Sequence, residues 1–314
     1  MDKPMTGRRR NRRTQYATFD VQWPGPLDVP ASLEIFRRWG DDLLDRWDGR
    51  VLVRTIRVGV EPVPFVCTVT GTVDKPAAEV MMQHTTYVPV VEQMVKNMFV
   101  TAPEPLAALA AADPVIARLE ARYRGVRPVL QLDPLAALVR SISAQQVNLR
   151  WAATIRRRLV ETFGCPHTLG AHNVFSLDAR RLARATAAEL RALQFSTRKA
   201  EYLIGLATAV ANGTLDLMIL RDQPDAEVIA RLTMLRGLGR WTAEWFLART
   251  LGRPCVAAGD LGVRKAIGMA YLQGRLPSET EVRELTAHWG VAAGVAQQLV
   301  LHALGAGVEI TAPQ

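Results

Sequence analysis

The chain has 314 residues, 49% of them hydrophobic and 22% charged, with a formal net charge of +9. That length suggests two or three domains with room for sizeable cores, and the composition excludes collagen-like, coiled-coil and wholly disordered chains. Lys3, Arg8, Arg9, Arg10, Arg12 and Arg13 stand against Asp2 at the start, so a short tail supplies much of the positive charge, and the basic balance is only a modest pointer to a polyanionic partner.

Residues 1–15 read as a low-complexity basic arm, disordered on its own. Strand patterns follow at 16–23, 51–58 and 65–73. In the last of these Phe65, Cys67 and Val69 alternate with Val66, Thr68 and Thr70. The Gly- and Pro-rich stretch 59–64 reads as a turn. Leu33, Phe36, Trp39, Leu43 and Leu44 share one helical face, which predicts a helix over 31–47, and a second is predicted over 88–99. The segment 16–101 is therefore expected to be a small antiparallel α/β sheet domain.

Beyond residue 101 the strand patterns vanish, and Ala and Leu dominate. Asp113-Pro114 and Asp133-Pro134 each set a capping aspartate before a proline at the first helical position. Helices are predicted near 104–111, 114–124, 134–147, 149–163, 177–192, 198–212, 225–235, 241–251, 261–272, 280–288 and 291–305, an all-helical body of helix pairs. Cys67, Cys165 and Cys255 are far apart and odd in number, so reduced thiols are expected, with no zinc or iron–sulfur set. No apolar run approaches the ~20 residues of a membrane span. The nearest, 291–304, is interrupted by Gln297, Gln298 and His302, and no secretion signal follows the basic start. A soluble cytoplasmic protein without a membrane partner is expected.

The most informative stretch is EVIARLTMLRGLGRWTAEWFLART, residues 227–250. One helix ends near Leu235, Arg236-Gly-Leu-Gly239 turns tightly, and the next helix begins at Arg240 or Trp241. Gly237 and Gly239 free the backbone and leave no side chain over the peptide groups, so a phosphate can approach the N–H groups of the second helix's first turn. Arg236 and Arg240 add charge, and Thr242 completes the LxGLGxxTA pattern. An αα-corner with convenient glycines would share the bare Gly-x-Gly, but not this full context. Trp241 and Trp245 lie one turn apart on one face, where they can stack on an electron-poor ring or simply fill a core.

Four blocks in order resemble the helix-hairpin-helix DNA glycosylase superfamily, most closely its bacterial 3-methyladenine DNA glycosylase II branch. They are Asp133-Pro-Leu-Ala-Ala-Leu-Val-Arg-Ser-Ile-Ser-Ala-Gln-Gln146, Arg198-Lys-Ala-Glu-Tyr-Leu203, the hairpin, and Gly259-Asp260. The resemblance covers roughly Leu109 to Leu304. It implies an α+β fold: a sheet domain at 16–101, then a two-lobed helical body. One lobe is 102–133 plus 254–314; the other, 134–253, ends in the hairpin motif.

In function, the resemblance implies a monofunctional glycosylase that flips alkylated purines out of damaged double-stranded DNA, hydrolyses the glycosidic bond and so starts base excision repair. A monomer associated with the nucleoid is expected. Asp260, 21 residues after Gly239, matches the catalytic carboxylate. It also reads as an N-cap, and the two roles can coexist. Trp241, Trp245 and Leu261 match pocket positions. Gln146 matches the wedge that fills the gap left by the flipped nucleotide, with Gln145 beside it. Arg264 and Lys265 read as DNA contacts one turn beyond Asp260. Lyase relatives carry Lys where this chain has Trp241, so no Schiff base is expected. No cofactor is expected beyond a monovalent cation at the hairpin, on the main-chain carbonyls of Thr233, Leu235 and Leu238. Near the C-terminus Trp289 is kept, but the proline, second aromatic and Arg-Ser pair of many relatives are missing, which leaves the substrate range open. Two alternatives remain: a glycosylase for deaminated or oxidised bases, or a non-enzymatic DNA-binding protein that uses the hairpin only to grip phosphates.

Overall fold

The computed structural model describes residues 16–307, so the basic arm read at 1–15 lies outside the described residues. Five strands, β1 (Ala17–Gln22), β2 (Asp45–Trp47), β3 (Val51–Val58), β4 (Glu61–Val69) and β5 (Ala77–Met82), form an antiparallel sheet in the order β1-β5-β4-β3-β2. Leu52, Ile56, Phe65 and Cys67 pack on one face with Trp23, Leu27 and Met98. Val53 and Val66 face the other way, against Leu169 and Val174 of a hairpin formed by β6 (Gly164–Leu169) and β7 (His172–Leu177). Pro62 and Pro64 stand inside β4 rather than in the expected turn. They lie past the span that β5 pairs, where a missing N–H on that side costs no ladder bond.

The helix expected over 31–47 is instead three short elements. The helices α1 (Val29–Leu33) and α2 (Ile35–Arg38) give way at Gly40, whose φ is +115°. Asp41 and Asp42 then accept the Leu43 and Leu44 N–H groups at 2.8 and 3.2 Å, closing local turns that compete with a helix. Leu43 and Leu44, the apparent end of a helical stripe, insert into the core of the helical body, and β2 pairs with β3.

The remaining helices are α3 (Val88–Lys96), α4 (Pro103–Ala112), α5 (Pro114–Arg122), α6 (Pro134–Ala144), α7 (Leu149–Phe163), α8 (Ala179–Ala183), α9 (Ala187–Ala192), α10 (Thr197–Ala211), α11 (Asp225–Thr233), α12 (Arg240–Arg249), α13 (Leu261–Tyr271), α14 (Glu279–Thr286) and α15 (Ala293–Gly305). Asp113 and Asp133 each accept two backbone N–H groups at the starts of α5 and α6, as their Asp-Pro pairs predict. The single helix expected over 177–192 is split. Thr186 and Glu189 form a reciprocal capping box that starts α9 afresh. The β6–β7 hairpin corrects the all-helical reading of the body.

One hydrophobic cluster joins α6, α7, α10, α11 and α12 through Leu138, Leu159, Leu203, Leu232 and Leu247. Another joins α4, α5, α13 and α15 through Leu106, Ile116, Ile267 and Leu299. A buried charge network ties the segment after α2 to the helices. Asp42 pairs with Arg140 at 3.0 Å and Arg156 at 2.9 Å, while Asp45 pairs with Arg54 at 2.6 Å and also with Arg140. Burial alone would push the Asp42 carboxyl up. Arg140 and Arg156 outweigh it and hold that carboxyl well below the usual carboxylate range.

Candidate active site

The glycines of the α11–α12 turn do different work. Gly237 has a φ of +90°, and a Cβ there would lie 2.2 Å from the Tyr202 ring, so both backbone and packing require glycine. Gly239 has a φ of −89°, and a Cβ there would meet nothing within 4 Å. Its bareness serves no internal contact. It leaves the start of α12 open, and no side chain caps that helix, so first-turn N–H groups and the positive helix end stay available to an anion. Leu238, buried between the two glycines, anchors the turn in the core. Arg236 is exposed beside it. Arg240 is exposed too, but its Nε pairs with the buried Glu244 at 2.9 Å.

Asp260 is the N-cap of α13. Its Oδ1 accepts the Val263 N–H at 2.9 Å, and its Oδ2 accepts the Trp241 indole N–H at 2.9 Å. Capping and site placement therefore coexist, and the two bonds fix the carboxylate's rotation. Gly262 is required close by, since a Cβ there would come within 2.9 Å of Asp260 Oδ1. The approach to Asp260 is held from α15, where the buried Gln297 accepts the Ala257 N–H at 2.8 Å.

Asp260, Trp241 and Trp245 line one cavity of about 610 Å³ between the sheet domain and the helices. Several of its residues were not singled out from sequence. Trp39 enters from the turn after α2, and Asp42, Arg140 and Arg156 bring the buried charge network to the wall. Arg249 lies one turn beyond Trp245 on α12, with its guanidinium 5.2 Å from that ring and hydrogen-bonded to Gln298 Oε1. Removal from water lowers Arg249 to about 10, with the charge of Asp260 acting in the opposite sense, so the guanidinium stays protonated at neutral pH. The signal that could have found part of this set is the pair Gln297-Gln298, which interrupts an otherwise apolar helix.

The other expected contacts are mixed. Gln146 is exposed with a φ of +55°, at the tip of the α6–α7 loop. Gln145 does not project beside it; its Nε2 donates to the Gly237 carbonyl at 2.7 Å and braces that loop against the hairpin. Thr242 is fully buried, main chain included, so it lies behind the surface that a strand would touch. Arg264 donates its Nε to the Pro277 carbonyl at 2.8 Å, whereas Lys265 and Leu261 are exposed. The Leu235 carbonyl accepts the Leu238 N–H at 3.1 Å. Among the described residues no group of three or more His, Cys, Asp or Glu could hold a metal ion, and no helix is long and apolar enough to cross a membrane.

Residues 139–290 match the family model described as HhH-GPD superfamily base excision DNA repair protein. A DNA-3-methyladenine glycosylase of Bacillus subtilis is 28% identical over 187 residues, covering 59% of this chain and 62% of that protein. DNA-3-methyladenine glycosylase 2 of Escherichia coli is 33% identical over 134 residues, covering 43% of this chain and 47% of that protein. The matched region thus spans about half to three-fifths of these curated relatives. In structure, a 3-methyladenine DNA glycosylase from Archaeoglobus fulgidus superposes with a TM-score of 0.82 at 21% identity, over 92% of this chain and 99% of that one.

Proposed function

The chain belongs to the HhH-GPD superfamily of base excision DNA repair proteins, and from that premise we propose that it is a monofunctional DNA glycosylase acting on alkylated purines in duplex DNA. The observation that carries the reading is the carboxylate of Asp260, fixed by two hydrogen bonds on the wall of an aromatic cavity and joined through Trp241 to the open hairpin helix.

On this reading the strand's phosphate sits at the start of α12, against bare Gly239 and beside Arg236. The damaged nucleotide swings out of the stack into the cavity, and Gln146 fills the gap it leaves, since extrusion costs about a few kcal/mol. As the bond between C1′ and the base breaks, the sugar turns cationic. Asp260 stabilises that charge in a site shielded from water, and accepts the proton of the water that attacks C1′. An N-alkylated purine already carries positive charge and leaves without a general acid, which suits a site with one carboxylate at the sugar.

Trp241 occupies the place of the lyase lysine, and its N–H is committed to Asp260. Lys199, at the start of α10, donates its Nζ to the Ser143 carbonyl at 2.9 Å. A monovalent cation at the hairpin would be held by the neutral carbonyl oxygens of Thr233, Leu235 and Leu238. That donor set suits a hard monovalent ion, and the Leu235 carbonyl keeps a second lone pair after bonding to Leu238. Such an ion would supply positive charge toward a phosphate.

The test is to incubate the chain with N-methylated duplex DNA and identify the free bases released. Release of methylated purines, with intact strands until base is added, is expected. Strand breaks without added base would overturn the monofunctional reading, and no base release would overturn the glycosylase.

A further inference from the structure

The last turn of α6 and the glycine turn before α12 rest on one shared support. Lys199 and Tyr202 stand three residues apart on α10, on one face of that helix. The buried Lys199 donates its Nζ to the Ser143 carbonyl at 2.9 Å, near the end of α6. Tyr202 lies against Gly237, where a Cβ would come within 2.2 Å of its ring. Ser143 is held a second time through its Oγ, which accepts Arg156 Nη1 at 3.2 Å. One strut then crosses from the α6 end to the hairpin: Gln145 Nε2 donates to the Gly237 carbonyl at 2.7 Å.

The residue after that strut is Gln146. Its φ of +55° is a backbone conformation that a residue with a side chain keeps only where its neighbours hold it. Gln145 holds it on one side. On the other, Asn148 caps α7, its Oδ1 accepting the Trp151 N–H at 2.8 Å. Gln146 is exposed between these two anchors. At the far end of the strut, Gly237 leads through Leu238 to Gly239, the uncapped start of α12. A single side-chain hydrogen bond and a few residues of main chain thus join the loop tip to the open helix end.

We infer that Gln145 is a positioning residue that couples the grip on the strand's phosphate to the insertion of Gln146, so that extrusion of the nucleotide depends on it and cleavage of the bond does not. This rests on the glycosylase reading above, with Gln146 as the residue that fills the gap. The clamp fixes where the strand lies, and the filling residue must enter at one step among nucleotides about 3.4 Å apart along it. A clamp and a wedge that moved independently would miss that step. Tied through Gln145 and seated on α10, they meet the DNA as one body, and unpairing and unstacking are driven against a fixed support. No contact with the substrate is asked of Gln145. Its amide is committed to Gly237, and the residues that line the cavity do not include it.

The experiment uses two duplexes that each carry one 7-methylguanine, paired with cytosine in the first and unpaired in a one-nucleotide bulge in the second. A bulged base needs little unpairing, so its release reports bond cleavage more than extrusion. Single-turnover release is measured for the wild type, Q145M, Q146A and the double variant. Q145M keeps the length of the side chain and removes the donor. It is expected to lower release from the paired duplex at least tenfold and from the bulge at most threefold. Q146A should show the same preference, and Q145M should add little to it in the double variant, because both act on one step. Q145E, whose carboxylate has no proton to give the Gly237 carbonyl, should repeat the pattern and decides the matter should Q145M fail to fold. Equal falls on both duplexes, no fall on the paired duplex, or full addition of the two effects would overturn the inference while leaving the glycosylase intact. No release from either duplex by the wild type would overturn the glycosylase reading, and this inference with it.

Discussion

Gly237→Ala and Gly239→Ala should separate what the hairpin needs in order to fold from what it needs in order to bind. At Gly237 an alanine must hold a φ of +90°, and its Cβ would stand 2.2 Å from Tyr202 Cγ and 2.8 Å from Tyr202 Cβ. The left-handed backbone costs roughly 1–2 kcal/mol, and forced overpacking roughly 1–3 kcal/mol. A loss of about 3 kcal/mol corresponds to a fall in Tm of about 6–12 °C at roughly 2–4 °C per kcal/mol. At Gly239 the φ is ordinary and the space is empty, so G239A should stay within about 0.5 kcal/mol of wild type. On the proposed function the methyl group would nonetheless stand where the strand's phosphate sits. Circular-dichroism melts and fluorescence anisotropy with a duplex containing an abasic-site analogue measure the two effects. G237A should melt early, whereas G239A should melt normally and bind weakly. Equal melting of the two variants, or full affinity in G239A, would refute the assignment of separate roles.

Three more expectations follow from particular contacts. Trp241→Phe keeps an aromatic ring but removes the N–H bonded to Asp260; a hydrogen bond to a charged group is worth about 1.5–3 kcal/mol, so single-turnover base release should fall roughly 10–150-fold, and unchanged release would remove Trp241 from carboxylate positioning. Asp42→Asn breaks a buried ion pair and should cost about 3–5 kcal/mol at pH 7 in urea unfolding. Because Asp42 is held below its unfolded value, that stabilisation is complete above about pH 4 and is lost as pH falls further. The gap between wild type and D42N should therefore narrow in acid, and a gap that is constant to pH 3 would contradict the network. Deleting residues 1–15, with six Lys or Arg and one Asp, should weaken duplex binding at low salt and reduce the salt slope by about 0.9 for each phosphate that the arm neutralises; an unaltered slope would mean that the arm does not touch the strand.

Local signals were legible wherever one residue's chemistry acts on its own backbone. The Asp-Pro starts of α5 and α6, the glycine turn before α12 and the capping position of Asp260 all belong to this kind. What escaped depends on distant partners. Leu43 and Leu44 kept helical spacing on paper, yet two aspartate turns and the core of another unit claim them. The β6–β7 hairpin is a strand pair because the second face of the sheet needs a cover, a demand written in Val53 and Val66 rather than in the hairpin itself. In the site, Asp260 and Trp241 were visible through motif spacing. Trp39 and Arg249 were not, since only tertiary packing brings α2 and the end of α12 to one cavity. Gln145 shows the opposite lesson: it has the expected position, but the fold spends its amide on the hairpin.

Asp260→Asn tests the central claim most directly. Asparagine is an equally good N-cap, so the Val263 bond and the fold should persist while the charge is lost. Preorganised electrostatic groups of this kind are worth about 10²–10³ in rate. The account predicts that D260N releases methylated purines at least a hundredfold more slowly than wild type, with duplex affinity retained within a few-fold. Release within tenfold of wild type would mean that the carboxylate only caps a helix, and that the chemistry lies elsewhere.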